Sequence, residues 1–229
     1  MKRILCLALA AFFGMSSFAA AEIHGVYFAP KFLVGIQSTG EFSKSNLYGV
    51  SFDRYSQVVF GGALAVGYNF APKFNVPIRT EIEYALRSDS SHRKDGSGWA
   101  SSYSTKYLSN ISTLFLNAYF DLDTGTPFTP YVGGGLGMSF NYTGASGNML
   151  ALSNIPGLLH WGRVSGEDRS TNFAWNVGAG VAYSITENIA ADLGYRFISA
   201  GYREVSGAGM KLGNNPYINE FYTGLRFSF

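Results

Sequence analysis

From Val26 to the end, the chain alternates bulky apolar residues with small or polar ones at a period of two, in eight separate segments. A period of two is the signature of a β-strand, whose successive side chains point to opposite faces. One segment shows the pattern at its sharpest. In "IRTEIEYALR", Ile78, Thr80, Ile82, Tyr84 and Leu86 alternate with Arg79, Glu81, Glu83, Ala85 and Arg87. The same reading holds from Val26, Gln57, Thr113, Phe128, Phe173, Ile189 and Glu220. Each apolar series is rich in Phe, Tyr, Leu, Ile and Val. Each opposite series is Gly, Ala, Ser, Asn or a charge.

Volume decides which face is inside. The chain holds 19 Phe and 15 Tyr, and the apolar series carry more bulk than a barrel of eight strands can enclose. The small and polar series fits a narrow lumen, so the apolar series must face lipid. Segments of about ten residues span a bilayer when tilted. The connections alternate strictly. "APKFNVP", "DTGTP" and "TEN" are short; 38–56, 88–106, 143–171 and 203–216 are long, polar and rich in Gly and Ser. The expectation is an all-β fold: an eight-stranded antiparallel up-and-down transmembrane β-barrel with short periplasmic turns and four long extracellular loops. An even strand number places both termini in the periplasm. Pro30 and Pro130 lack a ladder donor and are expected at strand starts or bulges, with the first strand beginning near Lys31.

The N-terminus reads as an export signal. Lys2 and Arg3 precede the apolar run Ile4 to Phe13, and Ala19 to Ala21 form a small-residue cleavage site. The expected division is a signal peptide over 1–21 and a barrel over 22–229. Cys6, the one cysteine, leaves with the signal, so no disulfide or thiol chemistry is expected. Loss of Lys2 and Arg3 balances the 15 acidic residues with as many basic ones, which argues against a nucleic-acid surface.

The last residues, "FYTGLRFSF", set Phe221, Leu225, Phe227 and Phe229 at alternating positions. They resemble the C-terminal signature of bacterial outer-membrane barrels. "FTPYVGGGLGMSF" and "ADLGYRF" are similar to strands of the OmpA-like transmembrane barrel and opacity (Opa-like) surface antigen family. The resemblance covers the whole expected mature chain. It implies recognition by the barrel-assembly machinery, an outer-membrane location, and contact with outer-membrane lipid and lipopolysaccharide. It is weak for activity. No peptidoglycan-binding domain is expected after the eighth strand.

Inward parity collects Lys31, Arg79, Arg87, Arg196 and Arg226 with Glu81, Glu83, Asp121, Asp192 and Glu220. Arg79, Glu81, Asp121, Asp192 and Arg226 are expected in the periplasmic half, and Lys31, Glu83 and Arg196 nearer the middle. Five charges of each sign make a salt-bridged plug the expected state of the lumen. The alternative is charges in small water pockets without specific partners. No catalytic residue, cofactor or metal is expected. His24, His92 and His160 have no ligand spacing, "SDSSHRKD" and "HWGRVSGED" read as solvated loops, and "GGGLG" is the small face of a strand.

The expected role is a monomeric surface antigen or adhesin-like barrel acting on an extracellular ligand or host surface through its loops. A small porin is the first alternative and a lipid-modifying enzyme the second. In the third loop, Leu150, Leu152, Ile155, Leu158, Leu159 and Trp161 are apolar beyond what a solvated loop needs. A short helix or an extra hairpin on the rim is expected there.

Overall fold

The computed structural model describes residues 24–38, 56–98, 101–152, 159–201, 203–207 and 210–229. The expected signal segment, most of the first long loop, and Ile155 and Leu158 lie outside the described residues. The elements are β1 (Val26–Ser38), β2 (Ser56–Asn69), the helical turn α1 (Ala71–Phe74), β3 (Ile78–Arg87), β4 (Ser90–Gly98) and β5 (Ser101–Asp121). They continue with β6 (Phe128–Leu152), β7 (Leu159–Ser184), β8 (Ile189–Ser199), β9 (Arg203–Gly207), β10 (Met210–Asn214) and β11 (Tyr217–Ser228).

All pairings are antiparallel, and the sheet runs β3-β2-β1-β11-β8-β7-β6-β5, closed by the pairing of β3 with β5. First and last strands lie side by side, with Tyr27 opposite Ser228 and Ser38 opposite Tyr217. Closure removes every free edge within the barrel, which an apolar solvent demands of backbone polar groups. Strand β4 continues the line of β3 along β5 after a break at Ser88 and Asp89. Side chains serve the ladder there: Phe60 N–H donates to Ser88 Oγ (3.2 Å), and Asn110 Nδ2 donates to the Arg87 carbonyl (2.6 Å). Strands β9 and β10 form a separate hairpin.

Burial follows the period of two. On β3, Ile82 is 60% exposed while its neighbour Glu83 is 0% exposed. The long connections differ from expectation. Residues 88–106 and 143–171 are mainly strand, with β5 starting at Ser101 and β6 and β7 pairing without interruption from Phe128↔Tyr183 to Leu152↔Leu159. Within 203–216, β9 and β10 pair as well. Apolar alternation records a contrast between lipid and lumen. Beyond the membrane both faces meet water, so the alternation stops while the hydrogen-bonded ladder continues.

The prolines also differ. β1 begins at Val26 and pairs with β2 straight through Pro30↔Leu64, and Pro130 lies inside β6 opposite Val181. A strand residue directs its N–H to one neighbour only, so proline interrupts one side of the ladder. For Pro30 that side is β11, where pairing lapses between Phe28↔Phe227 and Lys31↔Gly224 and resumes in the same register.

Because the barrel pairs fully below the projecting hairpins, trimming them should leave it intact. Deleting residues 146–165 and joining the register partners Ala145 and Gly166 through an Asn-Gly turn is expected to preserve the heat-dependent gel mobility of a folded barrel.

Candidate functional site

Two features stand out: a charged lumen and a sheet that projects past it. In the lumen, six side chains form one chain of alternating sign. Lys31 Nζ lies 2.5 Å from Glu81 Oε1 and 2.7 Å from Glu83 Oε2. Arg196 Nη1 reaches Glu83 Oε1 at 2.6 Å, and Arg196 Nε donates to Glu220 Oε1 at 2.8 Å. Arg87 Nε donates to Glu220 Oε2 at 2.6 Å, and its Nη1 donates to Thr113 Oγ1 and the Ile111 carbonyl. The order is therefore Glu81, Lys31, Glu83, Arg196, Glu220, Arg87. It uses strands β1, β3, β8 and β11, and each member is buried.

The other four charges lie nearer the end that holds the termini. Arg79 Nε donates to Asp121 Oδ2 at 2.6 Å. Arg226 Nη2 is 3.7 Å from Asp192 Oδ1, an ion pair too long for a hydrogen bond, and that oxygen has no hydrogen-bond partner among the described residues. Beside it is a cavity of about 10 Å³ lined by Tyr27, Lys31, Arg79, Asp192, Tyr222 and Arg226 among others. That is room for about one water molecule.

Four tyrosines interleave with these charges. Tyr27 and Tyr119 hydroxyls donate to Glu81 at 3.2 and 2.9 Å, and the Tyr131 and Tyr222 hydroxyls meet at 3.1 Å. The Arg79 guanidinium lies 5.0 Å from the centroids of both Tyr119 and Tyr131. Lys31 and Arg196 lie 5.4 Å from that of Tyr222. Such contacts suit desolvated cations.

Each ring has room because its cross-strand partner is glycine: Tyr27↔Gly67, Tyr119↔Gly133, Tyr131↔Gly180 and Tyr222↔Gly194. A Cβ on any of these glycines would overlap the ring. The charged chain obeys the same rule, with Glu83 opposite Ala65, Arg87 opposite Gly61 and Arg196 opposite Gly178.

The inner face is not wholly small or polar. Leu33, Val59, Ile111, Ile198 and Ile218 are buried there. Ile111, Phe115, Ala174, Ile198, Ala200 and Ile218 pack into one cluster at the end away from the termini. Tyr27 escapes a reading that starts the first strand near Lys31, and Tyr131, which follows Pro130, is passed over as well. Their signal was parity, shared with Ala29 and Gly133.

The projecting sheet is made of β4, the first half of β5, the second half of β6 and the first half of β7. His92 faces Tyr107, which faces Ala145, whereas His160 faces Ala151. The two histidines are thus on rows about 20 Å apart along the strands. Among the described residues no group of metal-ligating side chains occurs.

The outer membrane protein beta-barrel domain model matches residues 5–229. The chain belongs to that family. Its location is accordingly the bacterial outer membrane. Outer membrane protein PagN of Salmonella typhimurium is 32% identical over 154 residues, covering 65% of this chain and 60% of PagN. A putative adhesin of Rickettsia bellii is 25% identical over 160 residues, covering 69% of this chain and 65% of that protein. The chain thus spans less than two thirds of the length of these relatives. Among solved structures, Neisserial surface protein A superposes with a TM-score of 0.46 at 18% identity, over 90% of this chain and 99% of that one.

In this outer-membrane barrel the exposed apolar residues meet lipid. No described helix is long and apolar enough to cross a membrane. Aromatic residues cluster at both margins of the band, as such barrels require. Tyr68, Phe70, Phe74, Phe128 and Tyr183 lie toward the termini, and Trp175, Phe197 and Tyr217 toward the hairpins. Phe221, Leu225 and Phe229 are exposed on the outer face near the C-terminus.

Glu220 holds two guanidinium groups in a fully buried position. Glu220→Gln should therefore destabilise the barrel by about 3–5 kcal/mol, and Asp121→Asn, at the partly exposed pair, by a smaller 1.5–3 kcal/mol or so. Urea unfolding in lipid vesicles measures both. Gly194→Val should displace the Tyr222 ring and cost about 1–3 kcal/mol in the same assay.

Proposed function

We propose that the protein is a sealed outer-membrane barrel that attaches the cell to other surfaces through its projecting hairpins. The observation that carries this reading is the sheet of β4 to β7, which continues as paired strands well past the last lumen side chains. A ladder in water has no membrane to span, so its extra length serves reach. In this reading the hairpins lie outside the cell, and both termini and the short turns lie in the periplasm. The C-terminal series Phe221, Leu225, Phe227 and Phe229 is the segment offered to the barrel-assembly machinery. The names of the relatives agree with the proposal, since the Rickettsia bellii protein is described as a putative adhesin.

The lumen supports a sealed barrel over a porin. Lys31, Glu81, Glu83, Arg87, Arg196 and Glu220 neutralise one another in the space where an open pore would hold water. Removing a partner there costs more than an exposed pair ever contributes. Against a lipid-modifying enzyme, His160 lies seven residues from Glu167 along one extended strand, about 23 Å away.

Purified protein in planar bilayers should show no stable conductance of porin size; a stable conductance would overturn the seal. Cells carrying the chain trimmed of residues 146–165 should lose attachment to epithelial monolayers while keeping a folded barrel. Unchanged attachment would sink the adhesive role of that hairpin.

A further inference from the structure

Pro30 leaves a gap in the wall where the first strand meets the last. We infer that this seam is a built-in opening: its terminal end parts locally, up to Lys31, while the rest of the barrel stays paired. The inference is independent of the attachment reading.

The gap follows from which pairs exchange hydrogen bonds. Phe229 N–H donates to the Val26 carbonyl at 2.9 Å. Such pairs alternate along an antiparallel ladder. Phe28–Phe227 and Pro30–Leu225 are therefore the next two of that kind. Pro30 has no N–H, so the Leu225 carbonyl lacks its ladder donor, and pairing lapses between Phe28↔Phe227 and Lys31↔Gly224. Among the described residues no side chain takes over as donor. Leu225 is 42% exposed on the lipid face, about 13 Å of extended strand from the last residue. Lipid offers that carbonyl nothing in exchange.

Pro130 shows the contrast. Its missing donor faces Leu122, just past the end of β5, and Leu122 N–H still donates to the Pro130 carbonyl at 2.8 Å. A donor missing at a strand end interrupts no ladder. Apart from the break where β3 passes into β4, every other seam of the barrel pairs continuously among the described residues.

The surroundings localise the opening. β1 and β11 are the first and last strands, so no turn joins them, whereas the chain links every other pair of neighbours through one connection. Below the gap the seam is short: Phe28↔Phe227, Tyr27↔Ser228, and the bonds of Phe229 with Gly25 and Val26. Above it the pairing is unbroken to Ser38↔Tyr217, and Lys31 is tied to both Glu81 and Glu83. Behind the gap is the small cavity, lined by Tyr27, Ala29 and Lys31 of β1 and by Arg226 of β11 among others. Each strand also keeps its other partner. β1 pairs with β2 from Val26↔Tyr68 onward, and β11 pairs with β8 down to Phe227↔Ile189. Parting the seam therefore breaks its own few hydrogen bonds and leaves those of its neighbours.

Amide hydrogen exchange of the full chain in nanodiscs, followed residue by residue by NMR, tests this. The N–H groups of Phe28, Leu225 and Phe227 cross the seam. Those of Tyr27 and Ala29 point to β2 at the same height, since Asn69 N–H donates to the Gly25 carbonyl and the alternation runs on from there. The seam amides are expected to exchange about tenfold or more faster than those of Tyr27 and Ala29. Pro30→Val supplies the missing donor. It should slow Phe28, Leu225 and Phe227 about fivefold and leave Phe120 and Val132, on the β5–β6 seam, unchanged. Heat-dependent gel mobility verifies the fold of the variant, and the comparison within the unaltered chain needs no variant.

Equal exchange of the seam amides and of Tyr27 and Ala29 overturns the inference. Exchange at Phe120 and Val132 as fast as at the seam assigns the effect to fraying of the whole terminal end, and overturns it too. So does a folded Pro30→Val chain whose seam amides exchange at the original rate.

Discussion

Eight strands closed around a space only as wide as a few side chains leave almost no room for water, and that confinement governs the rest of the structure. A charge placed in such a lumen must find an opposite charge within reach. Lys31 and Arg196 each bridge two carboxylates, and Glu83 and Glu220 each bridge two cations. Confinement also sets the residues between them. Most large inward side chains have a small one beside them: the four tyrosines stand opposite glycines, and Lys31, Glu81, Glu83, Arg87 and Arg196 opposite glycine or alanine, whereas Arg79 lies between Asn69 and Tyr119.

The two ends of the lumen are built unequally. Toward the hairpins, Arg87 and Glu220 are covered by the packed layer of Ile111, Phe115, Ile198 and Ile218. This layer arises one inward step beyond the charges on the same strands: Ile218 precedes Glu220, and Ile198 follows Arg196. Toward the termini Arg79 and Asp121 stay 2.6 Å apart, while Asp192 and Arg226 stand at 3.7 Å with a small cavity beside them.

Past the barrel the same backbone pairing serves a different end. Within the membrane the ladder is obligatory because lipid offers no hydrogen bonds. Beyond it, water would satisfy the same groups, and the strands persist through cross-strand pairing alone. The projecting sheet is thus a continuation of the wall, anchored in a rigid base. A surface carried on such a base loses less conformational freedom on contact than one carried on a coil.

Much of this was legible in the residues. Parity separated the lipid face from the lumen face, placed ten charges inside, and alternated short turns with long connections. Those properties depend on neighbours one and two positions away, and on the volume a barrel can hold. The pairing of the charges was not legible in that way. Glu83 and Arg196 are 113 residues apart, and their contact depends on how far each strand is staggered against the next. Tyr27 was hidden by a strand start placed near Lys31, because the donor that Pro30 lacks affects only one side of the strand. The projecting strands were hidden because hydrophobic alternation requires two different solvents, and water on both sides erases it. The sequence by itself determined which residues face lipid and which face the lumen, because that choice is local to a strand. Only the tertiary structure decided which charges meet, because barrel closure and stagger bring together strands far apart in the chain.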